Sequence, residues 1–206
     1  MEINSVFAGL NSNVSLYDTQ SIFKYILFLT AIDSISGYCS FKLVNSAQLF
    51  RLFRCGWKKW YCEIMRKSTG ISVAGISIVY LLSYMIAPEK EKWLAFGVFL
   101  LHIIFLSSVQ AAAVMLCNQA AAVYAIIVLI QLSSIFFSQY FEGGWSILFP
   151  GNWGSINRSD FIVQNGFSLT IVIWIELLGT VFLHLFGWRM VKVFSRSVIH
   201  GTVDKT

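Results

Sequence analysis

Apolar positions along the chain gather into long blocks rather than alternating with polar ones. Residues 70–87, 93–116 and 120–139 contain no Asp, Glu, Lys or Arg, and residues 166–188 contain one acid, Glu176. Each block is about as long as the roughly twenty residues a helix needs to cross a bilayer, so each is expected to be a transmembrane helix. Residues 22–41 form a fifth block broken by Lys24 and Asp33. Those charges are costly against lipid, so this span should pack inside a bundle or against another subunit.

The stretch from Leu43 to Lys67 has another pattern. Its large apolar residues Val44, Ala47, Phe50, Phe53, Trp57, Trp60, Tyr61 and Ile64 recur at steps of three and four, while Arg51, Arg54, Lys58, Lys59, Arg66 and Lys67 occupy the other faces. That spacing predicts a basic amphipathic helix over 43–67, lying in the membrane plane with its cations toward headgroups or a polar partner. It could be a flank obeying the positive-inside rule or a docking helix for a cytoplasmic protein.

The connections complete the layout. Pro88 should end the second span, and PEKEKW forms a short, charge-balanced turn. Cys117, Asn118 and Gln119 make a brief return, so spans three and four form an antiparallel hairpin. Gly70 and Ala74, four apart, would permit close helix contact. The longest loop, 140–165, is rich in Gly, Trp and Asn, which suits an interfacial or partly re-entrant hairpin. The expected fold is therefore an all-α polytopic membrane protein: five spans, one inner-surface helix, and residues 1–206 as a single transmembrane domain.

Composition agrees. Of 206 residues, 57% are hydrophobic and 12% charged, with a mean hydropathy of +0.70, too little polar surface for a soluble globule. The formal net charge of +5 reflects topology. Lys42, Arg51, Arg54, Lys58, Lys59, Arg66, Lys67, Arg189, Lys192, Arg196 and Lys205 all fall on one side. These are eleven of the fifteen Lys and Arg, which places the N-terminus outside and the C-terminus inside a cell membrane. The cations flank apolar spans without a nucleic-acid motif, so no nucleic-acid partner is expected. No cleavable signal is visible in the first twenty residues.

Chemistry is sparse. There is no phosphate-binding GxxxxGK[ST] loop, HExxH, paired CxxC or GxSxG elbow, and no enzyme activity or bound cofactor is expected of this chain. Cys55 and Cys62, seven apart without a neighbouring His, do not make a metal site. With Cys39 and Cys117 they are expected as reduced thiols. Ser168, Glu176, Thr180 and His184 lie at multiples of four on the last span and share a slowly rotating face. Glu176 sits near mid-bilayer, where an ionisable group either contacts a substrate or proton or holds helices together as a paired carboxyl. His102 and Gln131 are further candidates for the polar interior, each also explicable as a satisfied interhelical hydrogen bond, and Asp33, a second acid at depth, is expected there or paired with Lys42 or the basic helix near the inner surface.

The order of parts resembles the membrane subunits of type-two ABC transporters, particularly small bacterial permeases of peptide or bacteriocin export and self-immunity. FRLFRCGWKKWYCEIMRK from Phe50 to Lys67 is similar to the family's Arg-rich segment ending in a Lys-Trp pair, and FPGNWG from Phe149 to Gly154 to part of its outer loop. The resemblance implies a coupling helix at roughly Gln48–Lys67, with Arg51, Arg54, Lys58, Lys59 and Glu63 docking a separate ATPase subunit that holds ATP and Mg. It further implies a second permease copy or paralogue, with Asp33, His102, Gln131, Glu176, Thr180 and His184 along the interior. Those permeases usually have six spans, so this chain is expected to be a shortened variant or to start internally. A membrane immunity or regulatory protein acting by helix contacts, and an ion-coupled carrier, are the alternatives.

Overall fold

The computed structural model describes residues 6–9, 23, 25, 28, 35, 37–38, 48–86, 93–117, 119–137 and 143–203; the side chains of 6, 48–53, 120, 134–137, 143–144 and 194–203 are not among those described. The described residues are mainly helical, with turns and one isolated bridge between Ser159 and Phe167 joining the helices and no strand among them. Four helices carry it: α1 (Gln48–Ile86), α2 (Trp93–Cys117), α3 (Ala120–Phe137) and α4 (Leu169–Val203).

Three segments, Arg54–Ile86, Trp93–Cys117 and Leu169–Val193, are long and apolar enough to cross a membrane. The described apolar part of α3, Ala121–Ser133, is shorter. Five spans are thus not all seen: most of the first expected span, 22–41, lies outside the described residues, Asp33 included.

The expected division between an interfacial helix at 43–67 and a span at 70–87 is corrected. Helix α1 runs through both, and its one departure from helical geometry is at Gly56, with φ 73° and ψ 159°. The physical reason lies in local chemistry. Ser68, Thr69 and Gly70 lower helix propensity slightly but do not break a helix, and the Ser72 hydroxyl donates back to the Ser68 carbonyl across the junction. At Gly56 the backbone takes a conformation open essentially only to glycine. Helix α1 is described through Ile86, two residues before Pro88. Gly70 and Ala74 are exposed, and a side chain at Gly70 would meet nothing within 4 Å, so their close contact is not made within the chain.

Helix α4 also differs from its expected bounds of 166–188. It begins at Leu169, where the Asp160 carboxylate accepts the Leu169 N–H, and continues to Val203. Arg189, Lys192 and Arg196 are good helix formers, so they mark where apolar character ends without ending the helix.

Packing centres on α2. In the membrane-length windows 61% of α2 is buried, against 17% for α1 and for α4, so α2 is the core helix and the others turn large faces outward. Ile78, Leu81, Leu82, Leu178, Phe182 and Leu185 form part of that exposed apolar belt, as lipid-facing positions do. The expected α2–α3 hairpin is present, and the Val123 N–H donates to Gln119 O to close the first turn of α3. At one end Phe7, 1% exposed, inserts edge-on among Tyr80, Phe96 and Phe99 at ring separations of 5.3–5.8 Å. At the other end Tyr61 donates its hydroxyl to the Leu183 carbonyl, 2.8 Å, clasping α1 to α4.

Helix α1 offers a direct contrast between two glycines. Gly56→Ala is expected to cost about 1–3 kcal/mol, because alanine is strained in that conformation. Gly70→Ala, helical and with open space, is expected to stabilise by about 0.5–1 kcal/mol. Unfolding of the two variants in detergent measures both; equal effects would mean that the break at Gly56 is not a fixed feature.

Candidate functional site

The loop expected as an interfacial hairpin folds as a cap. Short 3-10 turns at Gly143–Leu148, Pro150–Asn152 and Ile156–Arg158 follow one another and pack against α2 and α3. The Trp153 indole donates to the Ile147 carbonyl at 2.8 Å, and Arg158 donates to the Asn152 side-chain oxygen at 3.0 Å. Burial pulls Arg158 below the usual guanidinium range while Tyr25 acts in the opposite sense; the group remains a cation at ordinary pH. Ser155 ties the cap to the N-terminal segment by donating to the Ala8 carbonyl.

Directly beneath the cap lies a buried ionisable pair. His102 comes nine residues into α2 and Glu176 seven into α4 (93 to 102, 169 to 176), about 14 and 11 Å along their helices. His102 Nδ1 and Glu176 Oε1 are 2.7 Å apart with both side chains no more than 2% exposed. An imidazole or a carboxyl alone at such a depth is expensive, and each removes much of the other's cost by sharing a hydrogen bond. Gly154, the last residue of the FPGNWG stretch, closes over this pair. A Cβ at Gly154 would stand 2.7 Å from His102 Cδ2, inside contact distance of a packed ring, so only glycine allows the cap to seat there. Phe105 and Trp153 meet beside it at 6.1 Å between ring centres.

The other expected interior residues are placed as follows. Thr180 is one turn along α4 from Glu176, and its hydroxyl and Glu176 Oε2 are buried without hydrogen-bond partners. His184 does not join the pair: its Nδ1 is 3.0 Å from the Thr180 carbonyl, and since a carbonyl only accepts, Nδ1 carries the proton. Gln131 is buried on α3 with its amide nitrogen unpartnered. Gln110 on α2, not singled out from sequence, shares that condition and lies against Gly37. Asp33 is outside the described residues. The structure therefore joins His102 to Glu176, leaves Gln131, Gln110 and Thr180 as separate polar positions, and gives His184 a partner in its own helix. The signal for the pair was present in sequence as two ionisable residues at similar depth on different spans, but nothing in it showed that those spans touch.

At the opposite end, the apolar face of the basic helix packs into the protein core where side chains are described, and not into an acyl boundary as expected. Trp60, Tyr61 and Ile64 are buried, and Trp57 packs on the same core. Arg54, Lys58 and Lys59 are exposed. Arg51 lies on α1, but its side chain is outside the described set. Glu63 is engaged by Lys67 one turn on, so its carboxylate is balanced within the helix. Cys55, Cys62 and Cys117 are free thiols. Among the described residues no three His, Cys, Asp or Glu side chains converge as metal ligands.

Truncating one member of the buried pair strands the other, so His102→Leu and Glu176→Leu are each expected to destabilise by about 3 kcal/mol. The double variant, with both groups apolar, should lie closer to the parent than either single change. A double-mutant cycle by detergent unfolding measures this, and simply additive losses would show that the two groups are not coupled.

No family model, no curated protein and no solved structure matches the chain.

Proposed function

We propose that the chain is the permease subunit of a type-two ABC transporter, moving a peptide or other amphipathic substrate with ATP hydrolysed on a separate subunit. The observation that carries this reading is the basic end of α1. There Arg54, Lys58 and Lys59 stand exposed beside a backbone break at Gly56, while the apolar face of the same segment is buried against α4 and the core. A helix so anchored transmits a push from a docked partner into the bundle, a two-state element biased by ligand. In this reading five helices cross a cell membrane, 22–41 being the first, with the N-terminus outside and the C-terminus inside. The exposed apolar faces of α1 and α4 serve lipid and a second permease copy.

The buried His102–Glu176 pair favours a second reading, an ion-coupled carrier. An ionisable pair on two spans is the usual furniture of a proton or ion path. Such a carrier works without any ATPase and is sensitive to Glu176→Gln.

The ABC reading predicts that an ABC ATPase subunit co-expressed with this chain copurifies with it. Reversing Lys58 and Lys59 to Glu should reduce that recovery at least about ten-fold through like-charge and lost-contact costs. Undiminished recovery would remove these lysines from the docking surface. For topology, Cys62 is exposed and Cys55 half-buried, so both should resist an impermeant thiol reagent added to intact cells and react once the inner face is opened. Labelling from outside would invert the orientation.

A further inference from the structure

The geometry points to a binding site for the phosphate headgroup of an anionic phospholipid, in a groove between the break in α1 and the far part of α4. The groove is an open surface depression of about 600 Å³ lined by two separate stretches of chain, with Gly56, Trp57, Lys58 and Lys59 from α1 and Trp188 and Lys192 from α4. It goes beyond the ABC reading and needs neither an ATPase nor transport.

Charge selects the class of occupant. Three lysines line the groove and no Asp or Glu does, and none of the three forms an ion pair among the described residues. The nearest acid in sequence, Glu63, is engaged by Lys67. The uncompensated field therefore favours an anion. The walls select an amphiphile. Most of the lining is apolar, with two tryptophans whose rings suit the boundary between acyl chains and headgroups. The Arg189 guanidinium lies 5.6 Å from the Trp188 ring, which holds that indole beside the cationic rim.

Position selects a lipid over a soluble ion. The groove sits at the basic ends of the membrane-length segments Arg54–Ile86 and Leu169–Val193, away from the cap. Basic pockets between spans at that level are where anionic headgroups seat. At Gly56 a side chain would meet nothing within 4 Å, so the wall is open there, and the acyl chains could run along the exposed apolar belt of α4.

The groove shares Lys58 and Lys59 with the proposed ATPase-docking surface, and Lys192 and Trp188 of α4 belong to the groove alone, so Lys192 distinguishes the two. The full chain, purified in detergent, is mixed with equal amounts of phosphatidylglycerol and phosphatidylcholine, and bound lipid is counted by native mass spectrometry. Phosphatidylglycerol is expected to be retained preferentially, to lose about five-fold in preference on Lys192→Gln, and on the order of a hundred-fold on neutralising Lys58, Lys59 and Lys192 together. Thermal unfolding of each variant confirms that it remains folded. Equal retention of the two lipids, or an unchanged preference in the folded triple variant, overturns the proposal. So does displacement by excess inorganic phosphate, which would make this a site for a soluble anion. Loss of ATPase recovery on Lys192→Gln with lipid retention unchanged would assign the groove to a protein partner instead.

Discussion

The bond between His102 and Glu176 is the interaction on which the arrangement of this chain turns. Both groups are ionisable, both are shut off from solvent, and they lie 74 residues apart in sequence on different helices. Apolar faces alone leave the rotation of one span against another loosely specified, since lipid tails pack about as well as leucine. A single polar pair removes that freedom, because any other register strands an imidazole or a carboxyl in hydrocarbon. Once α2 and α4 are locked at this level, Gly154 can close over the His102 ring and the cap has one place to sit.

The two ends of the bundle are built on opposite principles. The cap end is tied by many specific hydrogen bonds, including Arg158 to Asn152, Asp160 to the first turn of α4, and Ser155 to Ala8. The basic end is held by aromatic packing and the Tyr61–Leu183 clasp, and leaves its cations uncovered. The break at Gly56 belongs to that basic end. It lets the segment before it leave the axis of a helix that otherwise runs unbroken from Trp57 to Ile86.

Helix existence was legible from sequence wherever uncharged blocks were long. The α2–α3 hairpin lies where expected among the described residues, and α1 is helical through Ile86. Boundaries set by charge were less legible. Lys67 and Arg189 read as the ends of elements, yet both helices continue past them, because a cation changes which solvent a helix prefers and not whether it forms. The buried face of Trp60, Tyr61 and Ile64 was readable from spacing. The glycine that breaks that helix was not, since an isolated glycine within a helical pattern is usually tolerated.

What the amino-acid sequence determined by itself was the inventory: long apolar helices, one strongly basic segment, and two ionisable residues at similar depth on separate spans. These follow from transfer free energies and periodicity, which are properties of a segment alone. Which ionisable residue met which was decided only by tertiary structure. His184 shares a helix face with Glu176 by spacing, yet its ring turns to Thr180 of that helix while His102 of another span meets Glu176. The groove that gathers Lys58, Lys59 and Lys192 likewise exists only once α4 lies beside the break in α1. Contacts of this kind depend on the relative rotation and height of two helices, quantities set by packing between segments and carried by neither segment's sequence alone.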